Sequence, residues 1–139
     1  MVNRELICPQ SIVVVGGSNN VHKPGGRLVR NLLDGKYKGS LYVVNAKETD
    51  VVDVLAHQKN VKAFIIISAG FGEETKEGGQ LEDQILHTIN EVGASLIGPN
   101  CIGLMNIHFH GVFTQPIPEF HPDGVDFISS SGGTALFII

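Results

Sequence analysis

Four short runs of apolar residues punctuate the chain without polar alternation: Ile12-Val13-Val14-Val15, Leu41-Tyr42-Val43-Val44, Phe64-Ile65-Ile66-Ile67 and Leu96-Ile97 after Ser95. Strands that are apolar on both sides belong to parallel sheets covered by helices on both faces. The pattern predicts strands over 11–15, 40–45, 62–67 and 95–97, with the first strand central. Between them the period changes from continuous to helical. Leu28 and Leu32, and Val29 and Leu33, stand four apart before Asp34-Gly35, which predicts a short amphipathic helix over 26–33. Val51, Val54 and Leu55 predict a helix over 51–57. Leu81, Ile85, Ile89 and Val92 predict another over 77–92, with Gly93 as its stop. Strand and helix thus alternate as in a doubly wound α/β sheet, whose ligands sit at the carboxyl ends of the strands.

Three of these strand ends share a chemistry. The first runs into Gly16-Gly17-Ser18-Asn19-Asn20, the third into Ser68-Ala69-Gly70-Phe71-Gly72, and the fourth into Gly98-Pro99-Asn100-Cys101-Ile102-Gly103. Small residues and amides at neighbouring strand ends describe one binding edge. Beyond residue 106 the pattern breaks into a Pro- and His-containing loop up to Pro122. Val125-Asp126-Phe127-Ile128 then predicts a further strand, leading through Ser129-Ser130-Ser131-Gly132-Gly133 into a helix over 134–139. An apolar, uncapped helical turn at Ile139 leads us to expect more protein beyond it.

Composition narrows the class. At 139 residues and 42% hydrophobic the chain suits a globular core. A net charge of −4, with no clustering of Lys and Arg among aromatics, argues against a nucleic-acid partner. No apolar run approaches the roughly 20 residues of a membrane span. Two cysteines far apart in sequence, Cys8 and Cys101, and no leader pattern point to reduced thiols in a soluble, cytoplasmic protein.

The loop from Gly16 to Arg27 joins a strand to a helix, where free backbone N–H groups bind phosphate oxygens and glycine permits close approach. Read alone, the same glycines also serve a plain tight turn. The spacing G-x-G-x-x-G is absent, and the second strand ends in Asn45 where a nicotinamide site offers an acidic residue to the ribose. Lys47, with Lys23 or Arg27, suits an additional phosphate such as that of NADP or the 3′-phosphate of coenzyme A; charge alone does not separate the two.

Gly16-Gly17-Ser18-Asn19, Val44-Asn45-Ala46-Lys47, Ile67-Ser68-Ala69-Gly70-Phe71 and Gly98-Pro99-Asn100-Cys101-Ile102-Gly103 together, and in this order, resemble the NDP-forming acyl-CoA synthetases, relatives of the succinyl-CoA synthetase alpha subunit. The resemblance implies an acid-thiol ligase segment with a Rossmann-like CoA-binding domain over 1–122. It also implies the start of a flavodoxin-like second subdomain over 123–139. In that reading Gly16, Gly17, Ser18, Asn19, Asn20 and Val21 hold the phosphates of coenzyme A, Lys47 meets its nucleotide end, and Ile67, Ser68 and Ala69 line the pantetheine path. The family couples acyl-CoA, phosphate and NDP to acid, CoA and NTP through a phosphorylated histidine and an ATP-grasp subunit or domain. Neither of those parts is in this segment, so no catalytic residue is expected in it and the isolated fragment is expected to be inactive. Rival readings are an NADP-binding oxidoreductase module and a stand-alone CoA-binding regulatory protein.

The chain departs from the resemblance after Asp50. The family carries a further strand and part of its helix between the Asn45-Ala46-Lys47 turn and the helix entering Val61. A piece of roughly 30 residues is therefore missing here. Either evolution removed a strand or the chain as given omits a stretch; omission is the expectation, because losing a central parallel strand would leave a hole in the sheet.

Single residues add little. His108 and His110 lie two apart without Cys, Asp or Glu at ligand spacing, so no metal is expected. Cys101 on its strand-end turn has no partner base and reads as packing. Glu73, Glu74 and Glu77 favour the positive end of the following helix.

Overall fold

The computed structural model describes residues 2–44, 51–121, 123–125 and 127–138. Its architecture is α/β. Strand β1 (Ser11–Val15) continues through helix α2 (Pro24–Asp34) to β2 (Ser40–Val44), which lies parallel to β1 with Ser11 opposite Ser40 and Val15 opposite Val44. A second unit of the same kind follows. Strand β3 (Ala63–Ile65), helix α4 (Lys76–Glu91) and β4 (Ser95–Ile97) form another parallel pair, with Ala63 opposite Ser95 and Ile65 opposite Ile97. Helix α3 (Val51–Asp53), continued by a π-helical turn (Val54–Gln58), precedes β3; Asn60, at φ +53°, turns the chain into it.

Local signals explain the boundaries. Pro24 opens α2 at a position whose missing N–H costs nothing. Thr75 caps α4, its hydroxyl oxygen accepting from Gly78 N at 2.9 Å. Gly93, at φ +60°, ends the turn after α4 as the sequence predicts.

Each strand pair has its own core. Val14, Leu32 and Phe109 form one cluster, and Ala56, Phe64 and Ile89 the other. Two elements that periodicity does not reveal tie these units together. Helix α1 (Arg4–Ile7) is capped by Asn3, whose Oδ1 accepts from Leu6 N at 2.9 Å while its Nδ2 donates to the Lys62 carbonyl at 2.6 Å. A hairpin of β5 (Gly103–Met105) and β6 (His110–Val112) replaces the loop expected after residue 106. Asn106 builds its turn: Oδ1 accepts from the amides of His108 and Phe109, and Nδ2 donates to the Ile7 carbonyl at 2.9 Å. Phe109 then drops into the first core.

Two expectations differ from what is observed. The four parallel strands form two separate pairs, with no ladder between β1 and β3. The strand expected over 125–128 is not formed at its described residues; Val125 and Ile128 are each 95% exposed, and a strand without a neighbour has nothing to bond its backbone. Helix α5 (Gly132–Ile138) does follow, beginning two residues closer to the serines than its apolar pattern indicates.

Candidate functional site

The loop after β1 is organised by its own polar groups. Gly16, at φ +78°, donates its N–H to the Val44 carbonyl at 2.8 Å, holding the loop to the end of β2. Ser18 Oγ accepts from Asn20 N at 3.1 Å, Asn20 Oδ1 from His22 N at 2.9 Å, and the Asn20 carbonyl from Lys23 N at 3.0 Å. These turns wrap the loop over the start of α2. A side chain at Gly26 would run into the carbonyls of Asn20 and Ser18, so only glycine lets the helix begin there. No side chain caps α2: Pro24 takes the first position, and the amides of Gly25 and Gly26 follow it against the loop. Gly17 is buried and Ser18 half-buried, while Gly16, Asn19, Asn20 and Val21 are exposed.

The ends of β3 and β4 are joined to each other. Ile66 N donates to the Ile97 carbonyl at 2.9 Å, and Asn100 N to the Ser68 carbonyl at 3.0 Å. The Cys101 thiol donates to the Ile66 carbonyl at 3.3 Å. Burial pushes that thiol's pKa up against the lowering effect of nearby backbone hydrogen bonds, which keeps it protonated and unreactive. Ile67 is half-buried, Ser68 and Ala69 exposed. The acidic residues downstream serve this loop: Glu73 accepts from Gly70 N and Phe71 N at 3.1 and 3.2 Å, and Glu82 from Gly72 N at 3.3 Å. Their role is structural, though Glu73 holds the loop and not the start of α4 as the sequence reading has it.

The three strand ends are thus fixed in two groups, the Gly16 loop on β2 and the Ser68 turn on β4. Between the two pairs lies a cleft of about 910 Å³, lined by Val13, Val15, Ile65 and Phe71 among others. Ile67 alone of the expected site residues lines it. Lys47 and Asn45 lie outside the described residues. Arg27 is engaged, donating to Gln115 Oε1 at 2.8 Å, whereas Lys23 is exposed and makes no ion pair among the described residues. His110 stands against Phe120, ring centroids 5.4 Å apart, and no group of three metal-ligating side chains occurs among the described residues. Both cysteines are free thiols. Pro24 followed by Gly25-Gly26 opens α2 without a side-chain cap, within the Gly16 to Arg27 loop that the sequence singles out. No helix among the described residues is long and apolar enough to cross a membrane.

No protein-family profile matches the chain. Individual relatives do. The acetate–CoA ligase (ADP-forming) II subunit alpha of Pyrococcus furiosus is 31% identical over 161 positions, covering 94% of this chain and 35% of the relative. The 4-hydroxybutyrate–CoA ligase (ADP-forming) of Nitrosopumilus maritimus is 25% identical over 171 positions, covering all of this chain and 24% of the relative. Among solved structures, a crystal structure of a Pyrococcus horikoshii protein superposes with a TM-score of 0.81 at 30% identity, covering 96% of this chain and 37% of that one. An acetyl-coenzyme A synthetase 1 of Ca. Korarchaeum cryptofilum, in complex with phosphate and ADP, superposes with a TM-score of 0.65 at 25% identity, covering 80% and 30%. The chain spans about a third of the length of the Pyrococcus furiosus subunit and about a quarter of the Nitrosopumilus ligase. Its relatives in sequence and its neighbours in fold agree: the chain is similar to part of the alpha-type segment of the ADP-forming acyl-CoA synthetases.

Proposed function

We propose that this segment binds coenzyme A for an ADP-forming acyl-CoA synthetase, which converts acyl-CoA, phosphate and ADP to acid, CoA and ATP. The observation that carries the proposal is the uncapped start of α2, where Pro24 and the amides of Gly25 and Gly26 stand beneath the loop of Gly16, Gly17, Ser18, Asn19, Asn20 and Val21. Unpaired N–H groups and the positive end of the helix dipole stabilise phosphate oxygens, and the absence of side chains at the glycines permits close approach. Lys23 is exposed beside this start and adds a positive charge. Lys47 takes the nucleotide end, and Ile67, Ser68 and Ala69 the pantetheine arm.

In this reading residues 1–122 are a Rossmann-like, doubly wound CoA-binding domain and 123–139 the start of a flavodoxin-like subdomain. The protein works in the cytoplasm. The phosphorylated histidine and the ATP-grasp partner lie outside this segment, so it binds CoA or acyl-CoA and does not turn over alone. The names of the relatives support the ligase class, and the fold match supports the domain.

The test is thermal unfolding with CoA, dephospho-CoA, NADP and NAD in turn. Ligand at about 100 times its dissociation constant adds roughly 2.7 kcal/mol. Stabilisation by CoA above dephospho-CoA is the expected result. Stabilisation by NADP alone would replace the proposal with an oxidoreductase module.

A further inference from the structure

A second cavity, of about 760 Å³, shares no lining residue with the cleft between the strand pairs and none with the expected coenzyme A contacts. Its inner wall is the last turn of α2, with Asn31 and Asp34, joined by Ile107 and His110 of the β5–β6 hairpin. Its outer wall is the segment 115–121. Pro116 and Pro118 have no N–H to give to a ladder, and no helix or strand forms there. Gln115 pins one end of the segment, accepting from Arg27 at 2.8 Å and donating to Asn31 Oδ1 at 3.3 Å. Phe120 pins the other, its ring centroid 5.4 Å from that of His110. The segment is a strap, fastened at both ends and hollow beneath.

The hollow has the size of a binding site. Ligand pockets occupy roughly 300–1,000 Å³, whereas close packing leaves few voids larger than a water molecule. Asn31 bonds Gln115 and the carbonyls of Val112 and Thr114, so the two amide side chains are spent on holding the strap. Recognition falls to the charged and aromatic groups.

The fixed charges of the lining have one sign. Asp34 and Glu119 contribute carboxylates from two walls, and neither lysine nor arginine is among the described lining residues. The carbonyl end of α2, with Gly35 just past it, adds the negative pole of the helix. Burial lowers the pKa of His110, so its ring is neutral at neutral pH and brings no opposing charge, while the His121 ring is exposed. Asp34 is paired with Arg30 at 2.9 Å, but both side chains are more than half exposed and water weakens the pair. Glu119 makes no hydrogen bond or ion pair among the described residues. The Phe120 ring and the exposed Ile107 side chain supply apolar surface, and an aromatic face itself attracts cations.

We propose that this cavity binds a small organic cation, an ammonium or guanidinium ion on an apolar or aromatic body. The charge sits between Asp34 and Glu119, and the body lies against Phe120, His110 and Ile107. Asp34 stands on α2 and Glu119 on the strap, so the bound cation bridges the two. It thereby fastens the middle of the strap, where Ile117, Pro118 and Glu119 take part in no hydrogen bond among the described residues. The same carboxylates repel anions, which separates this cavity in chemistry from the glycine loop and its phosphates.

The experiment is an NMR titration of the whole chain at neutral pH with three probes of similar shape: benzylamine, benzyl alcohol and benzoate. Benzylamine, protonated under these conditions, is expected to shift the amides of Asp34, Gly35, His110 and Phe120 to saturation. It is expected to bind about tenfold more tightly than the alcohol, with benzoate weakest. Asp34→Asn and Glu119→Gln are each expected to narrow the gap between amine and alcohol while leaving the alcohol unchanged. Equal binding of amine and alcohol overturns the proposal, as do tighter binding of benzoate, shifts confined to other residues, and no saturable shift with any probe. A gap that survives the substitutions also overturns it; Glu119→Gln, at an exposed position without a partner among the described residues, keeps that arm decisive if Asp34→Asn does not fold. Shifts at the same amides that rise with protein concentration before any probe is added mean that a basic side chain of a second copy fills the cavity, which overturns it as well. None of these readouts depends on coenzyme A.

Discussion

Asn31, 1% exposed on α2, donates its side-chain amide to the Val112 carbonyl on β6 across 2.7 Å. The same amide reaches the Thr114 carbonyl at 3.0 Å, and Oδ1 accepts from Gln115 at 3.3 Å. One side chain thus satisfies the carbonyls at the end of a hairpin that has no third strand to bond it. Asn31→Leu keeps the volume and removes the donor, leaving buried carbonyls unpaired at a cost of about 2 kcal/mol. The expected result is a lower urea midpoint with an unchanged denaturant slope. A midpoint within experimental error of the parent would mean that β6 is held by packing of Phe109 and Val112 alone.

The glycines of the first loop separate conformation from space. Gly16 has a positive φ and open surroundings, so Gly16→Ala costs only the left-handed backbone, about 1–2 kcal/mol. Gly26 has no positive φ, but its added carbon meets the carbonyls of Asn20 and Ser18, so Gly26→Ala displaces the loop itself. Stabilisation by coenzyme A is expected to survive the first substitution in part and vanish with the second. Equal CoA shifts in both variants would place the phosphates elsewhere.

Strands β1 and β4 lie where the apolar runs place them, and the stop at Gly93 was legible, because buried parallel strands and helix C-termini leave local marks. Helix α1 and the β5–β6 hairpin were not. Their stability comes from Asn3 and Asn106 bonding to residues 59 and 99 positions away, which no local period encodes. Val125 and Ile128 show the reverse error: a good strand pattern forms no strand where no neighbour accepts it. At the site, the glycine loop and the Gly98 turn were visible as motifs. Their separation by the cleft was not, since it depends on which strand sits beside which.

His110 packs beside Phe120, and burial lowers its pKa from the ordinary 6.5. A depressed pKa means that the folded state favours the neutral ring. Its contribution is present above pH 6.5 and lost as the pH falls through the lowered folded value. Melting temperatures from pH 7.5 down to about 5 are expected to fall more steeply in the parent than in His110→Gln, whose side chain does not titrate there. Parallel curves would show that protonation of His110 costs the fold nothing.

Cys101 titrates in the opposite sense. Burial raises its thiol pKa above 9.0 while the thiol donates to the Ile66 carbonyl, fastening the Gly98 turn to β3. The folded state favours the protonated form, so this contribution is present below the ordinary thiol pKa and is lost as the pH rises through the raised folded value. Two consequences follow for one side chain. Alkylation by iodoacetamide at neutral pH is expected to be slow at Cys101 in the folded protein and to accelerate on unfolding, because the attacking species is the thiolate. Cys101→Ser keeps a donor toward Ile66 and should leave the coenzyme A response unchanged, whereas Cys101→Val removes the donor and loosens the turn by about 1 kcal/mol. Loss of the coenzyme A response in the serine variant would give the sulfur a direct part in binding, one that a protonated, half-buried thiol facing a carbonyl does not suggest.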